Sequence, residues 1–486
     1  TKEPLDFVDS RIKRPAYYWW NFPVTDYARH IIMQGPVYGL ETDLTAEQTC
    51  GVLSNPMEHG EASKLALYGV ADYNWNVSAY NAIDNWERSL VDVTPEAHDA
   101  YRTFAIHSCD TETGYRRIES WETKSFRLAD YNKKDYDNLY AEFDRVEKAP
   151  AIMERDCKNA LLMKELRPWL AEFKKLGTRG KNTLTLMSQF KDGKYEAFWN
   201  GYISNRMSTA DMAAYQAHKS GTMKLQPFYE NGMDDMAIEF FKKVAGKTPA
   251  FYKGVGTYKS LGTTQNKLML DNDSTTFYHS GASQNTGDWI GLDLGAVRPV
   301  REVRILQGRN SVDDVDYFDN VIVEASADGK TWTPLTGELK KTYIINWKGN
   351  PVEARYVRMR KLQSDKKSWC AVREFVVNPV NPENLAFKVE SADMLGAMYC
   401  FDENPCSSFK SEGSLAFGVE KGTKSYTMLV NLPKAGGVVL KQYNKKDKLV
   451  ASTPVEGNMT KVNLDANAVK CQLEGAVEVF EIIPNK

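Results

Sequence analysis

Apolar and polar positions along the chain keep one period for a stretch and then change to another. From residue 14 to 75, short apolar runs alternate with a helical pattern. "RPAYYWWN" reads as a short aromatic strand ended by Pro23, and "CGVLSN" as a second short strand. "PMEHGEASKLALYGVADYNW" then places Ala62, Leu65, Ala66, Gly69, Val70 and Tyr73 on one helical face. Asn55, Pro56 and Glu58 fit the N-cap, N1 and N3 positions of that helix. Strand, loop and helix in this order, with polar residues at the strand ends, is the pattern of a βα barrel, whose active site lies at the C-terminal rim of its strands.

Between 77 and 250 the period becomes helical. "KDYDNLYAEFDRVEKAPAIMERDCKNALLMKELRPWLAEFKKLG" puts Leu139, Phe143, Val146, Leu161, Leu162, Leu166, Leu170 and Phe173 in helical register, and "ADMAAYQAHKSGTMKLQPFYENGMDDMAIEFFKKV" continues it. A helical bundle is expected here, closed by the linker "AGKTPAFYKGVG". From 255 to 380 apolar and polar residues alternate in "DWIGLDLG", "REVRILQG", "NVIVEASADGKTWTPL" and "RYVRMRKL", between Gly and Asp turns, which predicts a β-sandwich. After Pro379 and Pro382, strands such as "SYTMLVNL", "GVVLKQYN" and "VEVFEII" predict a further β-rich domain. The chain is thus expected to divide into 1–76, 77–250, 255–380 and 383–486.

Composition changes this picture little. A chain of 486 residues should hold several cores, because single cores stop growing at about 250 to 300 residues. Apolar residues are 42% and charged residues 26%, and a formal net charge of -2 gives no reason to expect nucleic acid as a partner. No run reaches the roughly 18 apolar residues of a membrane span, and "TKEPLDFVDSRIKRP" lacks the apolar core of a signal peptide. Seven scattered cysteines form no CxxC pair, which argues against a zinc or redox site. Most are expected to be buried thiols, although Cys400 and Cys406 flank the turn-like "FDENP" and could close a small disulfide loop. Eleven Trp, 25 Tyr and 20 Phe offer many flat faces, suited to sugar rings and to ordinary cores alike.

Binding a sugar takes a planar apolar face for the ring and a few amide or carboxylate groups for the hydroxyls, since a buried hydroxyl left unpaired costs about 1 to 3 kcal/mol. Trp19, Asn21 and Asp26 supply those types at the end of the first strand, and Asn55 follows the second. Ionised, Asp26 could accept bonds from two neighbouring hydroxyls. Each also has a plain structural use. Trp19 and Trp20 alternate in a strand and either suits a core; Asn55 suits a helix cap; Asp26 could cap "YARHIIM". His30 and His59, without partners at metal-ligand spacing, read as structural histidines.

A resemblance narrows the choice. "RIKRPAYYWWNFPVTDYARHIIMQGPVYG" and "GVLSNPMEHGEASKLALYGVADYNWN" resemble the last two βα units of the catalytic (β/α)8 TIM barrel of glycoside hydrolase family 84, the β-N-acetylglucosaminidases, with "WWNFPVTD" and "SNPMEHGEASK" the specific motifs. The resemblance implies that Trp19 helps line an N-acetyl pocket and that Asn21 orients groups around the sugar. It implies that Asp26 holds the 4- and 6-hydroxyls and that Asn55, contrary to a capping role, meets the sugar near its 3-hydroxyl. It also implies retaining hydrolysis in which the substrate's acetamide attacks its own anomeric carbon to give an oxazoline, without a cofactor. The family's pair of adjacent catalytic aspartates lies on an earlier barrel strand, so none is expected in this chain. Asp234–Asp235 and Asp313–Asp314 follow no apolar strand and read as solvated surface. The expected molecule is the last part of such a barrel, with the remainder in cis or on another chain, in a secreted or periplasmic bacterial enzyme acting on GlcNAc-bearing glycans or glycoproteins. The rival is a non-catalytic glycan-binding protein, or the binding half of a split enzyme.

"LMLDNDSTTFYHS", "GDWIGLDLGAVRPVREVRIL", "SADGKTWTPL" and "RYVRMRKL" resemble the discoidin or F5/8 type C fold, used as carbohydrate-binding module family 32. That resemblance implies a structural calcium held by Asp271, Asp273, Thr276 and Glu374, although "DNDS" is equally a common turn. Trp369, Tyr317 and Arg309 lie on loops that could meet a sugar.

Overall fold

The computed structural model describes residues 2–26, 28–109, 128–222, 224–271, 273–310, 315–434 and 436–486, without the side chains of Lys2, Thr209, Thr264 and Asn384. The Asp313–Asp314 pair lies outside the described residues. Two compact units form, one from 1–194 with 201–233 and one from 195–200 with 234–486.

The first unit opens with helix α1 (Lys2–Ile12), which the apolar pattern does not announce. Strands β1 (Ala16–Trp20) and β2 (Thr49–Ser54) follow and pair in parallel, with Trp19 opposite Leu53 and Trp20 opposite Ser54. Helix α2 (Lys64–Trp75) starts eight residues later than the Asn55 cap predicts. The Asn55 backbone is already committed, its N–H donating to the Trp20 carbonyl (2.9 Å) and its carbonyl accepting from Val24 (3.0 Å). The 55–63 loop instead closes on Ser63, whose hydroxyl accepts from the Met57 N–H and donates to the His59 carbonyl. The apolar face of α2 is where the spacing put it: Leu65, Ala66, Gly69, Val70 and Tyr73 are buried.

Helices α3 (Ala82–Val93), α4 (His98–His107), α5 (Lys133–Asp156), α6 (Ala160–Lys191), α7 (Tyr195–Asn205), α8 (Thr209–Ala217) and α9 (Leu225–Ala245) complete the helical region. The unit boundary passes through α7 and α9. Helices α5 and α6 cross closely because Gly177 and Gly180 leave no side chain at the crossing; a Cβ there would overlap the Glu147 backbone and the Phe143 ring. Seven of the eight apolar positions predicted for this pair are buried, but Leu161 is 62% exposed. In the buried contact between α4 and α5, His107 Nε2 meets Glu142 Oε1 at 2.8 Å.

In the second unit, β3 (Lys253–Gly256), β4 (Tyr278–His279), β5 (Trp289–Gln307), β6 (Asn320–Ser326), β7 (Thr333–Pro334), β8 (Leu339–Lys340), β9 (Ile344–Lys361) and β10 (Ala371–Val377) form an eight-stranded antiparallel system. Its path runs β4-β10-β5-β9-β6-β7, with β3 on β5 and β8 on β6. The end of the expected linker is therefore itself a strand, β3. Alternate residues of β5 and β9 enter a core with Ile290, Leu292, Val303, Ile305, Val357 and Met359.

The remaining strands are β11 (Val389–Glu390), β12 (Phe409–Glu412), β13 (Leu415–Gly418), β14 (Ser425–Asn431), β15 (Val439–Tyr443), β16 (Leu449–Pro454), β17 (Met459–Asn463), β18 (Lys470–Glu474) and β19 (Ala476–Asn485). They make two sheets, β11-β13-β18-β15-β16 and β12-β19-β14-β17, around a core that includes Phe417, Tyr426, Leu440, Leu473 and Ile482. All seven cysteines are free, so no disulfide closes the Cys400–Cys406 loop. The half-buried Asp402 and the buried Glu481 organise that loop instead: the Asn404 N–H donates to both carboxyls, at 2.9 and 3.0 Å.

Candidate functional site

Parallel pairing of β1 with β2 brings residue 21 beside residue 55, because both follow directly from paired strand ends. Asn21 Oδ1 accepts from Trp19 Nε1 at 2.8 Å and from Asn55 Nδ2 at 3.2 Å. One amide oxygen thus fixes an indole and a second amide. The link is exposed, and Trp19 itself is 61% exposed. Trp20, half-buried, stacks on Phe22 with ring centroids 4.9 Å apart, so of the two tryptophans Trp19 presents the free face. The Ser54 hydroxyl donates to the Phe22 carbonyl at 2.6 Å and ties the loop after β1 to the end of β2.

Asp26 lies exposed on that loop, where the Ala28 N–H donates to the Thr25 carbonyl across a turn. No hydrogen bond joins it to the other three among the described residues. Nor does it cap a helix, since the next helix is α2. The structure thus gathers Trp19, Asn21 and Asn55 and leaves the Asp26 carboxylate open to solvent. The Asp234–Asp235 pair sits half-buried on α9, with Asp234 paired to Lys267 at 3.2 Å, and is not freely solvated.

In the sandwich, the 271–276 loop folds on its own polar groups. Asp271 Oδ1 accepts from the Asp273 N–H (3.0 Å), and the Thr276 hydroxyl donates to Asp271 Oδ2 (2.7 Å). Glu374, on β10, is 5% exposed, and among the described residues neither of its carboxylate oxygens has a hydrogen-bond partner within normal geometry. Burial, then the nearby Asp271 carboxylate, push its carboxyl up to about 7. An orphaned buried carboxylate facing a second acid fits a cation between them. Among the described residues no group of three or more His, Cys, Asp or Glu is disposed to hold a metal, so Thr276 and backbone oxygens would complete any such set.

Elsewhere in the sandwich, Trp369 is 50% exposed and meets His279 edge-on at 4.7 Å. Asp316 joins His279 (3.7 Å) to Arg309 (3.2 Å), while Tyr317 is buried beneath Lys366. His279 and Asp316 were not singled out from the sequence; only their place beside Trp369 in the fold marks them.

Comparison with known proteins assigns the segments. Residues 1–106 match the β-N-acetylglucosaminidase family model, 120–233 the post-catalytic domain of bacterial GH84, and 256–375 the F5/8 type C domain. Similar solved structures include CpGH84D, at 23% identity and a TM-score of 0.42, over 49% of this chain and 42% of that one. A mutant of the Thermobaculum terrenum O-GlcNAc hydrolase is 20% identical, with a TM-score of 0.43, over 51% of this chain and 54% of that one. A Clostridium perfringens module, CpGH89CBM32-5, in complex with GalNAc-β-1,3-galactose, is 17% identical with a TM-score of 0.22, over 26% of this chain and 94% of that one. The chain therefore spans about half or less of the length of the GH84 structures it matches. By the segments matched, residues 1–106 and 120–233 are similar to the catalytic and post-catalytic parts of β-N-acetylglucosaminidases of the GH84 type, and 256–375 to F5/8 type C domains.

Proposed function

We propose that this chain supplies the sugar-holding rim of a retaining β-N-acetylglucosaminidase that removes terminal β-linked GlcNAc from glycans or glycoproteins outside the cytoplasm. The observation that carries this is the Trp19–Asn21–Asn55 linkage at the C-terminal ends of two parallel strands, with the Asp26 carboxylate open beside it in sequence. Trp19 offers the ring a flat face, Asn55 and Asp26 meet hydroxyls, and Asn21 holds Trp19 and Asn55 in place.

The chemistry is the substrate's own. Its acetamide oxygen attacks the anomeric carbon, the departing oxygen takes a proton from a general acid, and water opens the oxazoline with net retention. The acid and its partner, a pair of aspartates, come from barrel strands other than β1 and β2. Support for such strands is the bareness of this pair: Tyr17, Tyr18, Trp19 and Leu53 are 65%, 41%, 61% and 45% exposed. Parallel strands are ordinarily covered on both faces, and further barrel strands would cover these. We also assign Asp271, Thr276 and Glu374, with backbone oxygens, to a structural calcium that would neutralise the buried carboxylate; Asp273 is left out of the set because its Oδ1 accepts from the N–H and hydroxyl of Thr275. The exposed Trp369 end of the sandwich is a glycan contact.

Release of nitrophenol from an aryl β-N-acetylglucosaminide tests the proposal. The chain by itself should give no turnover, and completion by the remaining barrel strands should give turnover that Asp26→Ala lowers at least tenfold. Full activity in Asp26→Ala would remove Asp26 from the site. Inactivity of the completed barrel, with glycan binding retained, would favour the purely binding protein.

A further inference from the structure

Asp26 is exposed, and among the described residues no hydrogen bond ties it to Trp19, Asn21 or Asn55, so its place follows from how its loop is held. Ahead of it, the Val24 N–H donates to the Asn55 carbonyl (3.0 Å) and the Phe22 carbonyl accepts from the Ser54 hydroxyl (2.6 Å). Beyond it the chain makes two successive turns that share Ala28. The Ala28 N–H donates to the Thr25 carbonyl and the Ala28 carbonyl accepts from the Ile31 N–H, both at 2.9 Å. Inside the second turn, the His30 carbonyl is held from outside the loop, by the Trp169 indole N–H (3.0 Å) and the Lys219 N–H (2.8 Å).

Trp169 is buried on α6, fixed by the Ser220 hydroxyl, which donates to its carbonyl (2.7 Å), and by the rings of His59 and His218, edge-on at 5.1 and 4.9 Å. Glu165 lies one turn earlier on the same face of α6, since residues four apart in a helix stack on one side. Glu165 Oε2 accepts from the Ala62 N–H (2.9 Å), in the loop that follows Asn55. At the N-cap of α6, the Asn159 side chain donates to Glu61 of that loop (2.6 Å). The Ala62 carbonyl is held from the other loop, by the Gln34 side-chain amide (2.9 Å). Helix α6 therefore grips both loops, the one with Asp26 through Trp169 and the one with Asn55 through Glu165 and Asn159. Loops hold a site less precisely than helices or strands do, so groups carried on loops depend on such support.

We propose that Glu165 and Trp169 are positioning residues for the sugar site: without touching the sugar, they set the Asp26 loop against the Asn55 loop. This rests on the GlcNAc site proposed above. The test is GlcNAc titration of the full chain, read at the Trp19 indole N–H resonance, with the melting midpoint measured beside it. Trp169→Phe keeps a ring and deletes the donor; Glu165→Leu deletes the acceptor, and Glu165→Gln puts an amide oxygen back. Trp169→Phe and Glu165→Leu should each weaken GlcNAc binding by about threefold or more, the scale of one hydrogen bond. Glu165→Gln should bind within about twofold of the parent, because the acceptor is restored. A purely structural role would lower the melting midpoints and leave the affinity of the folded protein at the parent value, and that result would overturn the proposal. An equal loss in Glu165→Gln and Glu165→Leu would overturn it too, since the acceptor would then be irrelevant. Binding weakened by Asp26→Ala but kept by Trp169→Phe and Glu165→Leu would sink the positioning role alone. Failure of the parent to bind GlcNAc, or equal binding in Asp26→Ala, would sink the GlcNAc site and this role together.

Discussion

Asn21 Oδ1 is where the candidate site gains its order, since it accepts from both Trp19 and Asn55. The residue types were legible in "WWNFPVTD", but the linkage was not, because it depends on a strand register that places residue 21 beside residue 55. Asn55 shows the limit most clearly: local spacing favours a helix cap, and only pairing with a strand about thirty residues away in sequence commits its backbone elsewhere. At the same scale, Glu374 is a buried acid whose oxygens find no hydrogen-bond partner among the described residues. Calcium should raise the melting midpoint of the protein, and Glu374→Gln should abolish that response; an undiminished calcium shift in Glu374→Gln would remove Glu374 from the ligand set.

Asp402 and Glu481 make a second residue-scale prediction. Burial raises both carboxyls, Asp402 to about 6 and Glu481 well above its ordinary value, and their proximity raises Glu481 further. The folded state therefore holds protons that the unfolded chain releases, so stability is fullest below the ordinary carboxylate range and falls as pH rises through about 6. Denaturant midpoints taken from pH 5 to 8 should fall less steeply for Glu481→Gln, which stays neutral, than for the parent. Parallel profiles would mean that the pair carries none of the pH dependence.

Whole elements were legible where one face is apolar throughout, as in α2 and α5, whereas β5 joins two runs, "DWIGLDLG" and "REVRILQG", that read as separate strands. They were missed where the cause is tertiary. Helix α1 offers only the short series Leu5, Val8 and Ile12, the last two largely exposed, and α8 and α9 were taken as one stretch because the break between them, at the positive-φ Gly221, interrupts no apolar register. The α5–α6 crossing is the element most sensitive to one atom. Gly177→Ala gains about 1 kcal/mol of helix preference but pushes a methyl against backbone, which cannot rotate away. Overpacking costs about 1 to 3 kcal/mol, so a net loss near 1 kcal/mol is expected in urea denaturation. A gain in stability would show that the helices separate freely.

At the scale of the molecule, the order of helical region, sandwich and terminal β domain follows the changes of period in the sequence, because each period matches one kind of element. What periodicity does not carry is completeness. An exposed parallel pair looks the same in sequence as one inside a barrel, and only its exposed aromatic residues distinguish the two. The proposed function turns on whether that pair holds a sugar. The most direct test is titration of GlcNAc against the indole N–H resonance of Trp19, in the parent and in Asp26→Ala. A saturable shift at Trp19, with affinity at least several-fold weaker in Asp26→Ala, is the predicted result; no shift at Trp19, or equal affinity in both proteins, would contradict the proposed site.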